Sequence, residues 1–391
     1  MLNTSLSPWP SFTQEEADAV SKVLLSNKVN YWTGTECREF EKEFAAFAGT
    51  QYAVALSNGT LALDVALKAM GIGAGDDVIV TSRTFLASAS CIVTAGANPV
   101  FADVDLNSQN ISAETIKAVL TPNTKAIIVV HLAGMPAEMD GIMDLAKEHD
   151  LWVIEDCAQA HGAKYKGKSV GSIGHVGAWS FCQDKIMTTG GEGGMVTTND
   201  KELWRKMWSY KDHGKSYDAV YHREHTPGFR WLHESFGTNW RMMEMQAVIG
   251  RIQLKRMPEW TARRQAHAAK LAESLGKFAS IRLIEVADYI EHAQYKFYAF
   301  VKPEHLKEGW TRDRIVSELN ARKVPCYQGS CSEVYLEKAF DNTPWRPKER
   351  LKNAVELGDT SLMFLVHPTL TDDEIAFCKE HIEAVLAQAT A

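Results

Sequence analysis

The sequence lacks long hydrophobic runs, a strong excess of one charge and a pattern of paired cysteines. No apolar stretch approaches the roughly 18–20 residues that a membrane-spanning helix needs. The first residues, MLNTSLSPWPSF, have neither the basic start nor the apolar core of a secretory signal. A formal charge of -7 over 391 residues is mild, and seven scattered cysteines are typical of a reducing compartment. We therefore expect a cytoplasmic protein that binds neither membranes nor nucleic acid.

Two motifs that would indicate a ligand are incomplete. Cys326 and Cys331 lie close together, but no second pair stands at the spacing of a zinc site, so no metal is expected. The stretch GAKYKGKS (162–169) matches the phosphate-loop pattern G-x-x-x-x-G-K-S. That loop works only when a helix follows directly, because the helix N-terminal amides hold the phosphates. The next residues, VGSIGHVG, do not favour a helix, so the pattern does not predict an ATPase based on Lys168.

What is present is a regular alternation of strand and helix patterns. Strand-like runs occur at 76–80, 99–105, 125–130 and 151–156, with helical patterns between them at 60–70 and 137–149. Near-continuous apolar strands that alternate with helices predict an α/β fold with a parallel sheet covered on both faces.

The second half of the chain has a different pattern. The glycine-rich stretch 162–194 predicts short strands and turns rather than helices. The tail from about residue 260 mixes the strand-like YKFYAFV (295–301) with helical patterns. Since the chain is too long for one small core, we predict a large domain at 1–258, with an N-terminal helical segment, and a small C-terminal α+β domain at 259–391.

Reactive side chains follow several strands, at the sheet edge where ligands of parallel sheets bind. Asp156 ends the apolar run LWVIED, where a carboxylate is costly without a cation or strong donor. Lys185 ends SFCQDK and is followed by the glycine-rich TTGGEGGMV, whose small residues permit close approach by a bulky ligand. A lysine amine forms a Schiff base with an aldehyde when its surroundings lower its pKa.

Two further features complete a possible site. SNGT (57–60) opens a helix, so it is either a plain N-cap or an anion site of backbone amides. Phe85, just after a strand, is either core or a flat face for an aromatic ring. An anion site, an aromatic face, a buried acid and a reactive amine are the groups that pyridoxal 5'-phosphate requires. The residues themselves therefore predict this cofactor.

Longer stretches resemble the sugar-nucleotide aminotransferases often called the DegT/StrS family. The resemblance extends over nearly the whole chain and is carried by WTGTECREFEKEFAAFAG, ALSNGTLAL, VIVTSRTFLASA, PVFADVD, VIEDCAQAHGAKYKGKSVGSIGHVGAWSF and NWRMMEMQAVIG. It implies the aspartate-aminotransferase-like fold (pyridoxal-phosphate fold type I), with a mostly parallel central sheet flanked by helices. It also implies a homodimer with two shared active sites.

The resemblance implies roles residue by residue. Lys185 is expected to form the internal aldimine and to move the proton, Asp156 to pair with the pyridine nitrogen, and Gln159 to donate to the ring hydroxyl. The remaining cofactor contacts expected are Phe85 against the ring, Gly59, Thr60 and Ser180 on the phosphate, and Asn239 from the neighbouring subunit. The expected sugar contacts are Thr33, Gly34, His131 and Arg241.

The implied reaction is amino transfer from L-glutamate, through pyridoxamine phosphate, to a keto sugar nucleotide. The expected acceptor is a 4-keto-6-deoxy hexose on UDP, dTDP or GDP, and the expected pathway supplies amino sugars for polysaccharides such as O-antigen. Two alternatives stay open. A sugar 3-dehydratase of the family has histidine in place of the lysine, so Lys185 favours amino transfer. A regulatory or scaffold homologue needs no intact site, and this site is intact.

The chain departs from the family pattern in one segment. Many members have a histidine-containing segment there that contacts the sugar, whereas this chain has VPCYQGSCSEVY (324–335). Either Cys326 or Tyr327 is therefore expected where the family has a polar sugar contact.

Overall fold

The computed structural model describes residues 6–391. Its α-helices, in chain order, are α1 (Gln14–Leu25), α2 (Glu36–Ala48), α3 (Gly59–Ala69), α4 (Ala87–Thr94), α5 (Ala113–Lys117), α6 (Met139–Glu148), α7 (Lys201–Tyr210), α8 (Tyr217–Tyr221), α9 (Glu244–Leu275), α10 (Arg312–Ala321), α11 (Lys352–Thr360) and α12 (Asp372–Ala389). Short 3-10 helices occur at Leu132–Gly134, Pro303–His305, Val334–Leu336 and Lys338–Phe340.

The strands form three sheets. In chain order they are β1 (Tyr52–Leu56), β2 (Asp77–Thr81), β3 (Asn98–Ala102), β4 (Thr124–Val130), β5 (Trp152–Asp156), β6 (Lys164–Tyr165), β7 (Lys168–Ser169), β8 (Val176–Ser180), β9 (Gly194–Thr198), β10 (Ile281–Leu283), β11 (Ile290–Glu291), β12 (Phe297–Val301), β13 (Cys326–Tyr327) and β14 (Ser361–Phe364). The four strands predicted between residues 76 and 156 are β2 to β5, with ends that differ by a few residues.

The main sheet has seven strands in the order β1-β9-β8-β5-β4-β2-β3. Strands β3, β2, β4, β5 and β8 pair in parallel. β9 lies between β8 and β1 and runs antiparallel to both. Six of the seven strands therefore point the same way, and their carboxyl ends meet at one edge. The predicted α/β fold with a mostly parallel sheet is confirmed, and the reversal of β9 is an addition that the sequence did not indicate.

Local sequence signals explain where the first two helices begin and end. At the start of α1, the carboxylate of Glu16 accepts a hydrogen bond from the Thr13 amide at 2.6 Å, which satisfies a donor that the helix leaves free. α2 ends at Gly49, whose φ of 68° favours a residue without a side chain. Phe40 and Phe44 of α2 lie one helical turn apart and are fully buried.

A four-stranded sheet, β10-β12-β14-β13, forms the centre of the C-terminal part. Helix α9 contributes Ala268 and Leu271 to its core, yet the same helix begins at Glu244 and contains Pro258. The boundary expected between residues 258 and 259 thus lies within a continuous helix, and the division into two domains stays a proposal. The segment around Ser7 also contacts this part, since its hydroxyl donates to Glu374 at 3.0 Å.

The stretch that matches the phosphate loop does not have that structure. Lys168 and Ser169 form β7, which pairs with β6 in a small three-stranded sheet with β11. Strand β8, rather than a helix, follows. No helix amides are therefore available to hold a phosphate after Lys168, which supports the prediction that this motif does not bind ATP.

Among residues 6–391, none of the helices combines the length and the apolar character that crossing a membrane requires.

Candidate active site

The residues predicted to bind a cofactor meet at the carboxyl edge of the main sheet. Asp156 is the last residue of β5 and Ser180 the last of β8. Leu56, at the end of β1, pairs with Gly194 of β9, which pairs in turn with Ser180. The register therefore places the loop after β1 directly beside Ser180.

A cradle of backbone amides and a hydroxyl lies at this point. The Asn58 side chain caps α3 by accepting from the Leu61 amide at 3.0 Å. Within residues 6–391, no protein acceptor takes the amides of Gly59 and Thr60. Ser180 Oγ accepts from the Cys182 amide at 3.3 Å, which leaves its own proton free to donate. The start of α3 therefore offers several donors to an anion.

Gly59 is required at this cradle because no side chain fits. A Cβ at position 59 would lie 2.5 Å from the Cβ of Ser180. The absence of a side chain keeps the amides open to a ligand. The plain N-cap interpretation of SNGT is thus incomplete, because Asn58 does cap the helix while its neighbours leave an anion site.

The carboxylate of Asp156 is buried and has two donors. Its Oδ2 accepts from the Ser88 hydroxyl at 2.8 Å, and its Oδ1 accepts from the Ala158 amide at 3.1 Å. Burial raises the pKa of Asp156, although both hydrogen bonds and the nearby charge of Lys185 oppose that rise. A buried carboxylate whose charge is under-compensated is stabilised when a cationic N–H comes into contact with it.

Lys185 lies in the loop 181–193 that joins β8 to β9. Its Nζ is 5.3 Å from the centre of the Tyr295 ring, and within residues 6–391 it has neither an ion pair nor a hydrogen bond. The Tyr295 hydroxyl donates to Asp184 Oδ2 at 2.5 Å. The Trp9 indole N–H donates to the backbone oxygen of Lys185 at 2.9 Å. The backbone of Lys185 is therefore held while its amine is free to react.

Phe85 and Gln159 complete the set. Phe85 follows β2 and exposes 69% of its side chain, which is unusual for a phenylalanine at the edge of a buried sheet. Gln159 Oε1 accepts from the Ala133 amide at 2.7 Å, which fixes the side chain and leaves Nε2 able to donate. An open aromatic face and an oriented amide donor thus lie at the same sheet edge.

These groups fit pyridoxal 5'-phosphate. The phosphate matches the cradle at Gly59 and Ser180, where a Cβ would block it. The pyridine nitrogen matches the buried carboxylate of Asp156, and the aldehyde matches the unpaired amine of Lys185. The fit rests on donors, acceptors and open faces that the fold itself does not use.

The residues expected at the sugar have mixed surroundings. Thr33 is exposed, whereas Gly34 is buried where a Cβ would overlap the carboxylate of Glu244. Arg241 forms an ion pair with Asp212 at 2.8 Å. Asn239, expected to reach the neighbouring subunit, is exposed. Packing against Glu244 is thus a sufficient reason for the glycine at 34.

His131 has a different environment from the one expected. The ring is fully buried, with Nε2 3.0 Å from Glu155 Oε2, and Nδ1 accepts from the Ala137 amide at 3.1 Å. Neither nitrogen is left for a sugar, so the structure does not support a sugar contact by His131. The histidine instead helps to hold Glu155, whose carboxylate also accepts from the amides of Gly171, Ile173 and Gly174.

Cys326 and Tyr327, the two residues expected in place of the family's polar sugar contact, differ in exposure. Cys326 is fully buried in β13, while the neighbouring Tyr327 is partly exposed. Of the two, only Tyr327 can contact a ligand. Sequence reasoning missed Ser88 and Tyr295; Ser88 lies one helical turn after Phe85, but nothing in the local sequence around Tyr295 indicates its place beside Lys185.

Comparisons with known proteins identify the family of this chain. Residues 10–383 match the model of the DegT/DnrJ/EryC1/StrS aminotransferase family. A solved aminotransferase from Psychrobacter cryohalolentis is 66% identical, with 98% of this chain and 99% of that chain covered and a TM-score of 0.96. The GDP-perosamine synthase of Escherichia coli O157:H7 is 42% identical, with 95% of this chain and 96% of that protein covered.

A further relative has a different sugar in its name. The UDP-N-acetyl-3-dehydro-alpha-D-glucosamine 3-aminotransferase of Acidithiobacillus ferrooxidans is 42% identical, with 91% of this chain and 90% of that protein covered. The fold is the aspartate-aminotransferase-like fold that the sequence predicted. The chain therefore belongs to the DegT/DnrJ/EryC1/StrS aminotransferase family.

Proposed function

We propose that this protein is a pyridoxal-phosphate-dependent aminotransferase that moves the amino group of L-glutamate to a keto sugar nucleotide. The observation that carries the proposal is the unpaired amine of Lys185 at the same sheet edge as the buried carboxylate of Asp156. Two relatives named for GDP- and UDP-linked sugars support a sugar nucleotide as acceptor. The proposed acceptor is a 4-keto-6-deoxy hexose on UDP, dTDP or GDP.

The chain's own residues would bind and orient the cofactor. Pyridoxal phosphate, when bound, supplies an aldehyde that accepts amines and a ring that withdraws electrons from the adjacent carbon. Gly59, Thr60 and Ser180 would hold its phosphate, Phe85 would cover one face of its ring, and Gln159 would donate to its hydroxyl. These contacts fix the reacting atoms relative to Lys185.

Asp156 and Lys185 would control the protons. Asp156 would hold a proton on the ring nitrogen, because the buried carboxylate is more stable beside a positive N–H than alone. Lys185 Nζ would take the proton from the α-carbon of L-glutamate and pass it to the cofactor, and in the second half-reaction it would return a proton to the former keto carbon of the sugar. A lysine at this position, where the dehydratase of the family has histidine, favours amino transfer.

A donor–acceptor assay tests the proposed reaction. The protein loaded with pyridoxal phosphate is incubated with L-glutamate and a panel of keto sugar nucleotides. We expect at least one amino sugar nucleotide by mass spectrometry, together with an equal amount of 2-oxoglutarate, because the two half-reactions share one amino group. Reactions without the keto sugar provide the control. Failure of every keto sugar to yield 2-oxoglutarate in catalytic amounts would contradict the proposal.

The proposed enzyme is a homodimer with shared sites. Phe229, Trp231 and Phe236 expose 79%, 80% and 99% of their side chains. Asn239, the residue expected to reach the partner's cofactor, lies shortly after them and is exposed. Large exposed apolar side chains, here close together in the chain, are typical of an interface.

The double variant Trp231→Ser, Phe236→Ser is expected to weaken the dimer at least about 100-fold. Burying each such side chain contributes roughly 1.5–3 kcal/mol, and every 1.4 kcal/mol or so is about tenfold in affinity. Analytical ultracentrifugation measures the dissociation constant, and Val286→Ser, an exposed apolar residue in another segment, is the control. Wild-type protein that stays monomeric at micromolar concentration would refute this assembly.

A further inference from the structure

Lys296 is a buried cation that has no role in the reaction proposed above. Only 8% of the residue is exposed, although lysine is among the residues least often buried. Its Nζ lies 4.8 Å from the centre of the Tyr295 ring. Within residues 6–391, Nζ has no hydrogen-bond acceptor and no carboxylate at ion-pair distance.

Lys296 and the proposed catalytic lysine lie near the same aromatic ring. The Nζ atoms of Lys185 and Lys296 are 5.3 Å and 4.8 Å from the centre of the same Tyr295 ring. The Tyr295 amide donates to the Ala133 oxygen at 2.9 Å, and the Ala133 amide donates to Gln159 Oε1 at 2.7 Å. The backbone around Lys296 is therefore tied to the residues that would orient the cofactor.

The charges around Lys296 do not balance. Arg264 is buried as well, and its Nε and Nη2 have no acceptor within residues 6–391. Burial lowers the pKa of Lys296 to about 8. The attraction of Asp184 opposes this decrease, whereas the repulsion of Arg264 and Lys185 adds to it. Asp184 is the one carboxylate among the charged groups that act on Lys296. Three cations therefore face one anion, a state whose free energy falls when a second anion binds.

We propose that Lys296 is the cation that receives the α-carboxylate of the amino donor. This inference rests on the proposed function, because it requires an amino acid as donor. The α-carboxylate is one bond from the carbon whose proton Lys185 moves, so it reaches a cation that shares the Tyr295 ring with Lys185. The phosphates of a sugar nucleotide are attached to the anomeric carbon, several bonds from a keto group at C4, and fit this position less well.

The test compares Lys296→Met with Lys302→Met in the holoenzyme. Lys302 follows the other end of β12 and loses the same charge. Calorimetry measures the binding of 2-oxoglutarate, which has both carboxylates but no amine to transfer. We expect Lys296→Met to bind it at least about thirty-fold more weakly, as is typical when one partner of a buried charge pair is removed. Lys302→Met is expected to bind it like the wild type.

Separate half-reactions then identify the substrate that Lys296 serves. Lys296→Met is expected to raise the L-glutamate concentration for half-maximal rate by the same factor, with less than about threefold change for the keto sugar nucleotide. Replacing the α-carboxylate by an amide, as in L-isoglutamine, is expected to slow the wild type strongly and Lys296→Met little. A loss confined to the sugar nucleotide, or unchanged binding of 2-oxoglutarate, overturns the inference.

A stability measurement separates this role from a structural one. Because Lys296→Met removes an unpaired buried charge, we expect its melting temperature to equal or exceed that of the wild type. A large decrease would mean that Lys296 holds the fold and would overturn the inference. If the wild type itself does not convert L-glutamate, the proposed function fails first, and that result is visible without any variant.

Discussion

Replacement of Lys185 by alanine is expected to slow amino transfer by about 10⁴-fold, at the upper end of what a positioned acid and base contributes. The amine of Lys185 is the proposed proton carrier and also the proposed point of attachment of the cofactor. The variant is therefore expected to lose the near-visible absorbance that borohydride removes from the wild type. Single-turnover kinetics with L-glutamate and absorbance spectra measure the two effects.

Lys168→Ala is the matched control for Lys185→Ala. Lys168 is exposed in β7, and the same substitution there is expected to change neither the rate nor the spectrum. An ATPase based on the phosphate-loop pattern would give the reverse result, with activity lost in Lys168→Ala and kept in Lys185→Ala. A borohydride-reduced adduct on any lysine other than Lys185 would also show the assignment to be wrong.

Asp156→Asn is expected to reduce the rate of amino transfer by about 10³-fold while leaving the apoprotein at least as stable as the wild type. Burial raises the pKa of Asp156, so above its ordinary pKa the folded state carries the charge at a cost that the unfolded state does not have. A neutral side chain removes that cost but cannot keep the ring nitrogen protonated. Steady-state kinetics and chemical unfolding of the apoprotein test the two parts.

The adjacent Glu155→Gln is expected to show the opposite pattern, with a loss of about 3 kcal/mol in the free energy of unfolding. Burial alone would raise the pKa of Glu155, but His131 and the amides of Gly171 and Gly174 hold it below its usual range. Its charge therefore stabilises the fold at neutral pH.

The pH dependence provides a second check on Glu155. Because the folded-state pKa is lowered, the stabilisation is present above the ordinary pKa and is lost as the pH falls through the lowered one. The difference between Glu155→Gln and the wild type should shrink over that range. Equal losses of stability in Asp156→Asn and Glu155→Gln would contradict the separation of a functional from a structural carboxylate.

Local patterns predicted most of the sheet and the position of the proposed reacting groups at its edge. Apolar runs flanked by helical patterns located β2 to β5, because a strand buried on both faces leaves little choice of residue. The same reasoning placed Asp156 at a carboxyl edge, where a charged side chain stands out against an apolar strand. The glycines near Lys185 predicted a place where a ligand can approach closely, and this stays a prediction.

Features that depend on distant contacts could not be predicted in this way. The reversal of β9 arises from pairing with β1, more than a hundred residues earlier in the chain. His131 directly follows β4, near the strand end where Asp156 lies on β5, but the fold turns it into the interior, where it contacts Glu155. Tyr295 and Lys296 lie in a strand-like run that indicates only packing. That the Tyr295 ring lies near both lysine amines depends on distant contacts, such as the hydrogen bond from the Tyr295 amide to Ala133.

Helix α9 has a mechanical consequence for the molecule. It runs from Glu244 to Leu275. It packs against α1 and α2 and also contributes to the core of the small sheet. No flexible linker interrupts the helix, so any movement of the C-terminal part has to bend it. Bending costs least at Pro258, because proline cannot donate a backbone hydrogen bond. Such a connection resists bending and favours small, reversible movements of the C-terminal part relative to the main sheet.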